Sequence, residues 1–196
     1  MGSENSVNNY ISISDSSDTD DYPNSDPTSY FRNISLEYFV AEPFEMLTKH
    51  AEFKNLCLEN GNPEAHYIEG LLQYFVHKEK HKGLFHLRQS ATLNNTNGMY
   101  LYDLLMLALG HYPKGKKYLD KLQWKENLST SDHCWERVKI SLSSIPDIIF
   151  QDQYYVNMVN LKPGRKCDPN NMAKVCKHCY YSKRLKQFVE FALFNN

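Results

Sequence analysis

Apolar residues recur with helical spacing through the middle of the chain. Asn62 is a favourable N-cap and Pro63 suits the first position of a helix, so a helix is predicted to begin there. The apolar residues that follow at positions i, i+3, i+4 and i+7 are Ile68, Leu71, Leu72 and Phe75. After the polar run 77–82, a second apolar face consists of Leu84, Leu87 and Ala91. The pattern therefore predicts two amphipathic helices in succession.

A similar arrangement follows the turn-forming stretch 94–98. The third predicted helix carries Tyr102, Leu105, Met106 and Leu109, and a shorter fourth carries Tyr118, Leu119 and Leu122. Aligning Ala65 with Met99 gives a period of 34 residues, which is the length of a helix–turn–helix repeat. Two unrelated amphipathic helices can also match by chance, so that alternative stays open. Gly70, which permits close approach of a neighbouring helix, aligns with Leu104.

Helical patterns also flank this region on both sides. Residues from Phe44 to Asn60 are predicted to form one helix, and residues from about Ser131 to Ser143 another. The segment from Ile148 to Val159 is ambiguous, because apolar residues at 148, 150, 154, 156 and 158 suggest an extended chain while two tyrosines and two isoleucines blur the alternation. A final helix is predicted with Tyr181, Leu185, Phe188 and Ala192 on one face and Lys183, Arg184 and Lys186 exposed.

These elements predict a mainly α protein in three parts. Residues 1–33 are expected to form a disordered acidic tail, because their Ser, Asp and Asn residues bury too little apolar surface to offset the ordering entropy. Residues 34–125 are expected to form a domain of antiparallel helix pairs. Residues 126–196 are expected to form a helical extension with a small cysteine-rich loop, packed on the repeats.

The composition restricts the possible classes of function. The chain is 41% hydrophobic with a net charge of −1, whereas a nucleic-acid-binding domain is expected to be clearly basic. The longest apolar runs, such as 104–109 and 145–150, are too short to cross a bilayer. A polar, acidic N-terminus is unlike a secretory signal and favours an intracellular location, cytoplasmic or nuclear. No residues form a recognisable acid–base pair, so neither a catalytic nor an organic-cofactor residue is assigned.

The strongest candidate for chemistry is a cluster of cysteines near the C-terminus. Cys176 and Cys179 form a Cys-x-x-Cys turn that suits one tetrahedral zinc, and Cys167 is close enough in sequence to supply a third thiolate. For the fourth ligand of a structural Zn²⁺ site, Cys134 is the first choice and His178 the second. The alternative is that these cysteines are ordinary reduced thiols without a metal.

Several segments in order resemble a known family. They are Asn62–Gly70, Gly83–Ala91, Gly98–Gly110, Cys134–Val138 and Cys176–Tyr181. Together they resemble the Sel1-like and tetratricopeptide helical repeats. More specifically, they resemble a plant family of F-box-associated proteins with a tetratricopeptide-like domain. The resemblance covers most of residues 34–190.

The resemblance implies a role in protein recognition. In that family an F-box usually precedes the repeats, binds Skp1 and recruits a cullin ubiquitin ligase, while the C-terminal part holds a client protein. The region before Asn62 has no room for a complete F-box, so no residue here is assigned to Skp1 or cullin binding. The chain is therefore expected to correspond to the client-binding half.

The sequence accordingly predicts a non-enzymatic protein–protein interaction module with an unidentified client. Aromatic residues often anchor such contacts, and the candidates are Tyr67, Tyr74, Tyr100 and Tyr102. Packing between helices is the competing role for at least half of them. The alternative function is that of a zinc-organised nucleic-acid-binding or ubiquitin-pathway accessory protein, which would use the C-terminal end from Cys167 to Lys186.

Overall fold

The computed structural model describes residues 26–126, 128–146, 148, 151–164, 167 and 174–194. Within these residues the structure is helical and contains no strand. The helices are α1 Pro27–Asn33, α2 Glu37–Ala41, α3 Pro43–Thr48, α4 Ala51–Glu59, α5 Pro63–Leu71, α6 Lys80–Thr92, α7 Thr96–Ala108, α8 Lys117–Lys121, α9 Leu128–Ser143, α10 Asp152–Asn160 and α11 Lys177–Phe194. The predicted fold class, mainly α with antiparallel helix pairs, is confirmed.

The first helix pair, α5 and α6, begins with the cap that the sequence predicts. The Asn62 side-chain oxygen accepts hydrogen bonds from the backbone N–H groups of Glu64 and Ala65, at 2.9 and 3.0 Å. Its amide nitrogen donates to the carbonyl oxygens of Phe31 and Ile34, at 3.0 and 2.9 Å. One buried side chain therefore starts α5 and also fixes the segment that follows α1.

Two glycines bring α5 and α6 close together. A Cβ atom on Gly70 would lie 2.6 Å from Cγ of Leu87, and one on Gly83 would lie 2.7 Å from the backbone nitrogen of Tyr74. Both distances are too short for non-bonded atoms, so only glycine permits this spacing. Between these contacts α5 continues as a π-helical turn, Leu72–Val76, which buries the neighbouring rings of Tyr74 and Phe75.

The second pair, α7 and α8, follows the first with a similar start. Asn95 caps α7 by accepting a 2.8 Å hydrogen bond from the backbone N–H of Gly98. Eleven of the thirteen residues of α7 are buried, which makes it the central helix of the fold. Asp103 on α7 then accepts hydrogen bonds from the backbone N–H groups of Tyr118 and Leu119, at 2.6 and 2.8 Å, and so starts α8.

The C-terminal helices cover the inner face of the two pairs. Ser141 on α9 donates to the Val40 carbonyl at 2.5 Å and accepts from the Tyr67 hydroxyl at 3.2 Å. On α10, the Asn157 amide nitrogen donates to the Ala108 carbonyl at the end of α7, at 2.8 Å. The extension is thus joined to the repeats by buried hydrogen bonds as well as by apolar packing.

The structure differs from the sequence-based elements in four places. The helix predicted from Phe44 to Asn60 is divided into α3 and α4 at Lys49 and His50. The segment that is ambiguous in sequence, where the alternation suggests an extended chain, contains the helix α10, in which Tyr154 and Asn157 face inward while the apolar Tyr155 and Val156 remain exposed. Apolar residues on the outer face disguised the helical period of this segment.

The other two differences concern the tail and Arg184. Residues 27–33, at the end of the tail predicted to be disordered, form α1, and the Phe31 ring packs against the Phe53 ring at a centroid distance of 6.2 Å. Residues 1–25 lie outside the described part of the chain. Arg184, predicted to be exposed, is 2% exposed, and its guanidinium binds Asp132 at 2.6 Å.

Candidate functional site

Three cysteines form a compact cluster at the start of α11. Cys176 immediately precedes the helix, Cys179 lies in its first turn, and Cys167 approaches from the preceding loop. Their sulfur atoms all lie within 4.8 Å of one another. In a tetrahedral zinc site with Zn–S bonds of 2.3 Å the sulfurs are about 3.8 Å apart, so the three side chains are close to this geometry. These three cysteines could hold a metal ion.

The thiols of this cluster differ in their electrostatic surroundings. The backbone N–H of Cys179 donates to the Cys176 sulfur and lowers the pKa of the exposed Cys176 thiol. Burial raises the pKa of Cys179 to about 11, although the Gly164 N–H donates to its sulfur at 3.1 Å. A bound cation would favour the thiolate of Cys179 and would so offset the effect of burial.

The structure corrects the choice of Cys134 as fourth ligand. Cys134 lies on α9 outside the cluster and is buried, and burial raises the pKa of its thiol. His178, the second choice, is exposed, and its Nε2 atom lies 2.6 Å from the Lys162 carbonyl oxygen. The described residues therefore bring three of the predicted ligands together, and neither choice for the fourth is among them.

Three of the four predicted aromatic anchors are part of the core. Tyr67, Tyr74 and Tyr100 are at most 4% exposed. The Tyr74 hydroxyl contacts the Tyr154 hydroxyl on α10, and the Tyr100 ring lies 6.5 Å from the Trp135 ring on α9. Because these rings hold the C-terminal extension in place, they do not form a docking surface.

Tyr102 is the one predicted anchor that reaches the surface. It is half-buried beside a cleft of about 270 Å³ between α6, the α7–α8 loop and α8. We name this site the basic cleft, and its lining residues are Arg88, Tyr102, Pro113, Lys114, Lys117 and Tyr118. Sequence analysis missed the cationic residues of the cleft. The lysine-rich run 114–121 was a usable signal, but its approach to Arg88 is visible only in the fold.

The architecture of paired antiparallel helices defines a helical-repeat protein, and comparison with known proteins agrees. Residues 35–143 match the family model described as plant tetratrico peptide repeats. The chain belongs to this family. No solved structure matches the chain significantly. Among the described residues, no helix has both the length and the apolar character needed to cross a membrane.

Two curated relatives extend the comparison. An F-box protein of Arabidopsis thaliana is 32% identical over 93 residues, which cover 47% of this chain and 56% of the relative. A second Arabidopsis thaliana protein, named as a candidate F-box protein, is 31% identical over 96 residues, which cover 45% of this chain and 32% of the relative. The matched region thus spans about half of the first relative and a third of the second. The resemblance to a plant F-box-associated family with tetratricopeptide-like repeats is confirmed.

Proposed function

We propose that this chain is a non-enzymatic protein-interaction module that holds a client protein, as the client-binding part of an F-box protein would. The relatives named as F-box proteins support this proposal. We do not extend this proposal to Skp1 or a cullin, because no residue of this chain is assigned to either. We also propose that the chain acts inside the cell, where its five cysteines remain reduced.

We base the proposal on the helix faces that are already covered by other helices of the same chain. The rings of Tyr67 and Tyr100 on α5 and α7 face the chain's own helix α9, and Tyr74 faces α10. The repeats are thereby fixed as a rigid scaffold, and recognition is left to the outer surface. This surface includes exposed apolar residues such as Phe85 on α6, which is 55% exposed.

We further propose that Cys167, Cys176 and Cys179 hold one structural zinc ion. Their mutual distances and the lowered pKa of Cys176 support this proposal. Such a site would join the segment before α11 to the first turn of that helix. It would stabilise the extension and would leave recognition to the repeats.

The proposal is tested by affinity purification of the tagged chain from plant cells, followed by binding of the purified client to the purified chain. We expect a direct complex, and Skp1 and cullin are scored in the same eluate. Phe85→Ser on the repeats should weaken the complex. Leu193→Ser on α11, at a similar exposure of 52%, should leave it intact.

The reverse result would place the client on α11 and would contradict the assignment of recognition to the repeats. Failure of the purified chain to bind the recovered protein directly would overturn the proposal. Turnover of a small substrate by the purified chain would overturn it as well.

A further inference from the structure

The basic cleft gathers cations around two tyrosine rings. Arg88 on α6 and Lys114 and Lys117 near α8 line it and are exposed. Within the described part of the chain, none of these three side chains has a carboxylate at ion-pair distance. The cleft therefore carries cations without an ion pair in the described chain, although the Lys117 ammonium also interacts by charge with the buried Asp103 carboxylate.

Two carboxylates on the neighbouring helices α7 and α8 bind other groups. Asp103 is fully buried, and its Oδ2 atom accepts the two backbone N–H groups that start α8. Asp120 faces α11, where it binds the Lys177 ammonium at 3.0 Å and the Tyr181 hydroxyl at 2.5 Å. Neither of these carboxylates lines the cleft.

The arrangement of the cations is electrostatically unfavourable for the chain alone. The ammonium groups of Lys117 and Lys121 lie 5.1 and 5.4 Å from the centre of the same ring, that of Tyr118. These two lysines are four residues apart on one helix, a spacing at which like charges destabilise the helix. An anionic partner would relieve this repulsion and would gain charge-assisted hydrogen bonds.

The aromatic side of the cleft supplies a surface for the backbone of such a partner. The rings of Tyr102 and Tyr118 meet edge to face at a centroid distance of 5.8 Å. The Tyr118 hydroxyl is held by the Thr92 side-chain oxygen at 3.2 Å, whereas Tyr102 is only half-buried. An aromatic surface beside exposed cations suits an extended peptide that carries acidic side chains.

We propose that the basic cleft binds an anionic peptide segment of a partner protein, with Arg88, Lys114 and Lys117 as the binding cations and Tyr102 as the packing surface. This inference rests on the proposed function, since it names the chemistry of the partner that the module holds. The anionic groups are side-chain carboxylates of the partner segment, and phosphates of a modified segment are the alternative that the test distinguishes. Both take the same charge-assisted hydrogen bonds from lysine and arginine.

The test measures fluorescence anisotropy of short labelled peptides with the complete 196-residue chain. The probes alternate glycine with glutamate, with phosphoserine, or with glutamine as the neutral control. We expect the glutamate peptide to bind most tightly, and more weakly at higher salt, and the glutamine peptide not to bind. Tighter binding of the phosphoserine peptide would contradict the assignment to carboxylates.

Two double variants separate the cleft from general electrostatics. Lys114→Glu with Lys117→Glu should weaken binding of the anionic peptide by about tenfold or more. Lys80→Glu with Lys82→Glu, in the first turn of α6, changes the net charge equally and should leave binding nearly unchanged. Tyr102→Ala should also weaken binding, whereas Tyr155→Ala at the exposed face of α10 should not.

Three results would overturn the inference. They are equal loss of binding in both double variants, tighter binding of a single-stranded oligonucleotide of equal charge, and displacement of the peptide by inorganic phosphate at the same concentration. If the purified client still binds the variant with Lys114→Glu and Lys117→Glu at full affinity, the cleft is not the docking site and the proposed function survives. If no client binds the wild-type chain at all, the proposed function itself fails.

Discussion

The Nδ1 atoms of His66 and His86 lie 3.0 Å apart across the α5–α6 pair. One ring must be neutral at this nitrogen to accept the proton of the other, so two positive charges are not tolerated here. Burial, and then the neighbouring His86, lower the pKa of His66 to about 4, and burial also lowers the pKa of His86. Beside them the Lys54 ammonium and the Glu69 carboxylate form a buried ion pair at 2.5 Å.

The His66–His86 pair predicts a loss of stability in mild acid. The folded-state pKa of His66 lies below the ordinary value of 6.5. The stability that neutral His66 contributes to the folded state is therefore present above pH 6.5 and is lost as the pH falls toward 4. Allowing for the partial exposure of the ring, the free energy of unfolding should fall by about 1–2 kcal/mol over this range. Urea denaturation of wild type and His66→Asn measures the difference.

If the difference in the free energy of unfolding between wild type and His66→Asn stays constant from pH 4 to 6.5, the histidine pair is not the source of the acid sensitivity. His81→Asn, at an exposed position of α6, is the matched control, and its pH dependence should follow the wild type. Comparison of the variants is necessary because other buried groups titrate in the same range.

Asp103 is one of those groups, and its effect has the opposite sign. Burial raises the pKa of Asp103 to about 7, and its Oδ1 atom is buried without a hydrogen-bond partner among the described residues. A raised folded-state pKa means that its contribution is complete below pH 3.8 and is lost as the pH rises to 7. Asp103→Asn should remove this loss. The free energy of unfolding of the variant should therefore rise relative to that of the wild type between pH 4 and 7.

Urea denaturation at several pH values checks this prediction. Asparagine keeps an oxygen that can accept from the backbone N–H groups of Tyr118 and Leu119, so α8 keeps its cap. Asp103→Ala removes both hydrogen bonds and should cost about 2–4 kcal/mol at pH 4, and this cost should shrink as the pH rises to 7. If Asp103→Asn is as destabilising as Asp103→Ala, the carboxylate is not the source of the pH dependence.

The two glycines between α5 and α6 predict a ranking of alanine variants. Gly83→Ala meets the Tyr74 backbone nitrogen at 2.7 Å, whereas the closest atom to Gly70→Ala is Cγ of the Leu87 side chain. A side chain can shift more easily than a backbone, so Gly83→Ala should cost about 2–3 kcal/mol and Gly70→Ala less. Both positions are helical and gain the same helix propensity, so each is a control for the other.

Thermal or urea denaturation of the two variants measures this ranking. Equal stability of both variants and the wild type would mean that α5 and α6 are not in close contact. A larger cost at Gly70 would mean that the Leu87 side chain is held more rigidly than the backbone at Tyr74.

The cysteine cluster predicts one equivalent of zinc in the purified chain. Cys176→Ser together with Cys179→Ser should abolish it, and a strong chelator should lower the melting temperature of the wild type. Cys134→Ala is the informative control, because Cys134 lies outside the cluster and its loss should leave the zinc content unchanged. Elemental analysis and proton release on zinc addition are the measurements.

Less than about half an equivalent of zinc in the wild type would remove the site. Loss of zinc in Cys134→Ala, with the fold intact by circular dichroism, would restore Cys134 as a ligand. In either case the helical repeats would keep their proposed role, since their contacts do not depend on the cluster.

The sequence by itself determined the features that depend on neighbouring residues. The start of α5 follows from Asn62 and Pro63, which are neighbours in sequence. The Asn62 side chain accepts hydrogen bonds from backbone N–H groups of the first turn, and the ring of Pro63 fixes the φ angle at the first helical position. The close approach at Gly70 also followed from the absence of a side chain there. The Cys-x-x-Cys turn brings Cys176 and Cys179 together through local chain geometry alone. The helix start and the cysteine turn are fixed by short spacing, so pattern is sufficient there, whereas the sequence at Gly70 shows only that a close approach is possible and not that Leu87 is the partner.

Only the tertiary structure decided which helix faces pack against other helices and which remain exposed. Tyr67 and Tyr102 are both aromatic residues on predicted helices, yet α9 covers the first and leaves the second at the basic cleft. Cys134 is the first choice for the fourth ligand in sequence, yet the described group of close sulfur atoms contains Cys167, Cys176 and Cys179 and not Cys134. Such outcomes depend on how distant helices pack, and the free energy of packing depends on shape and burial that no local pattern records.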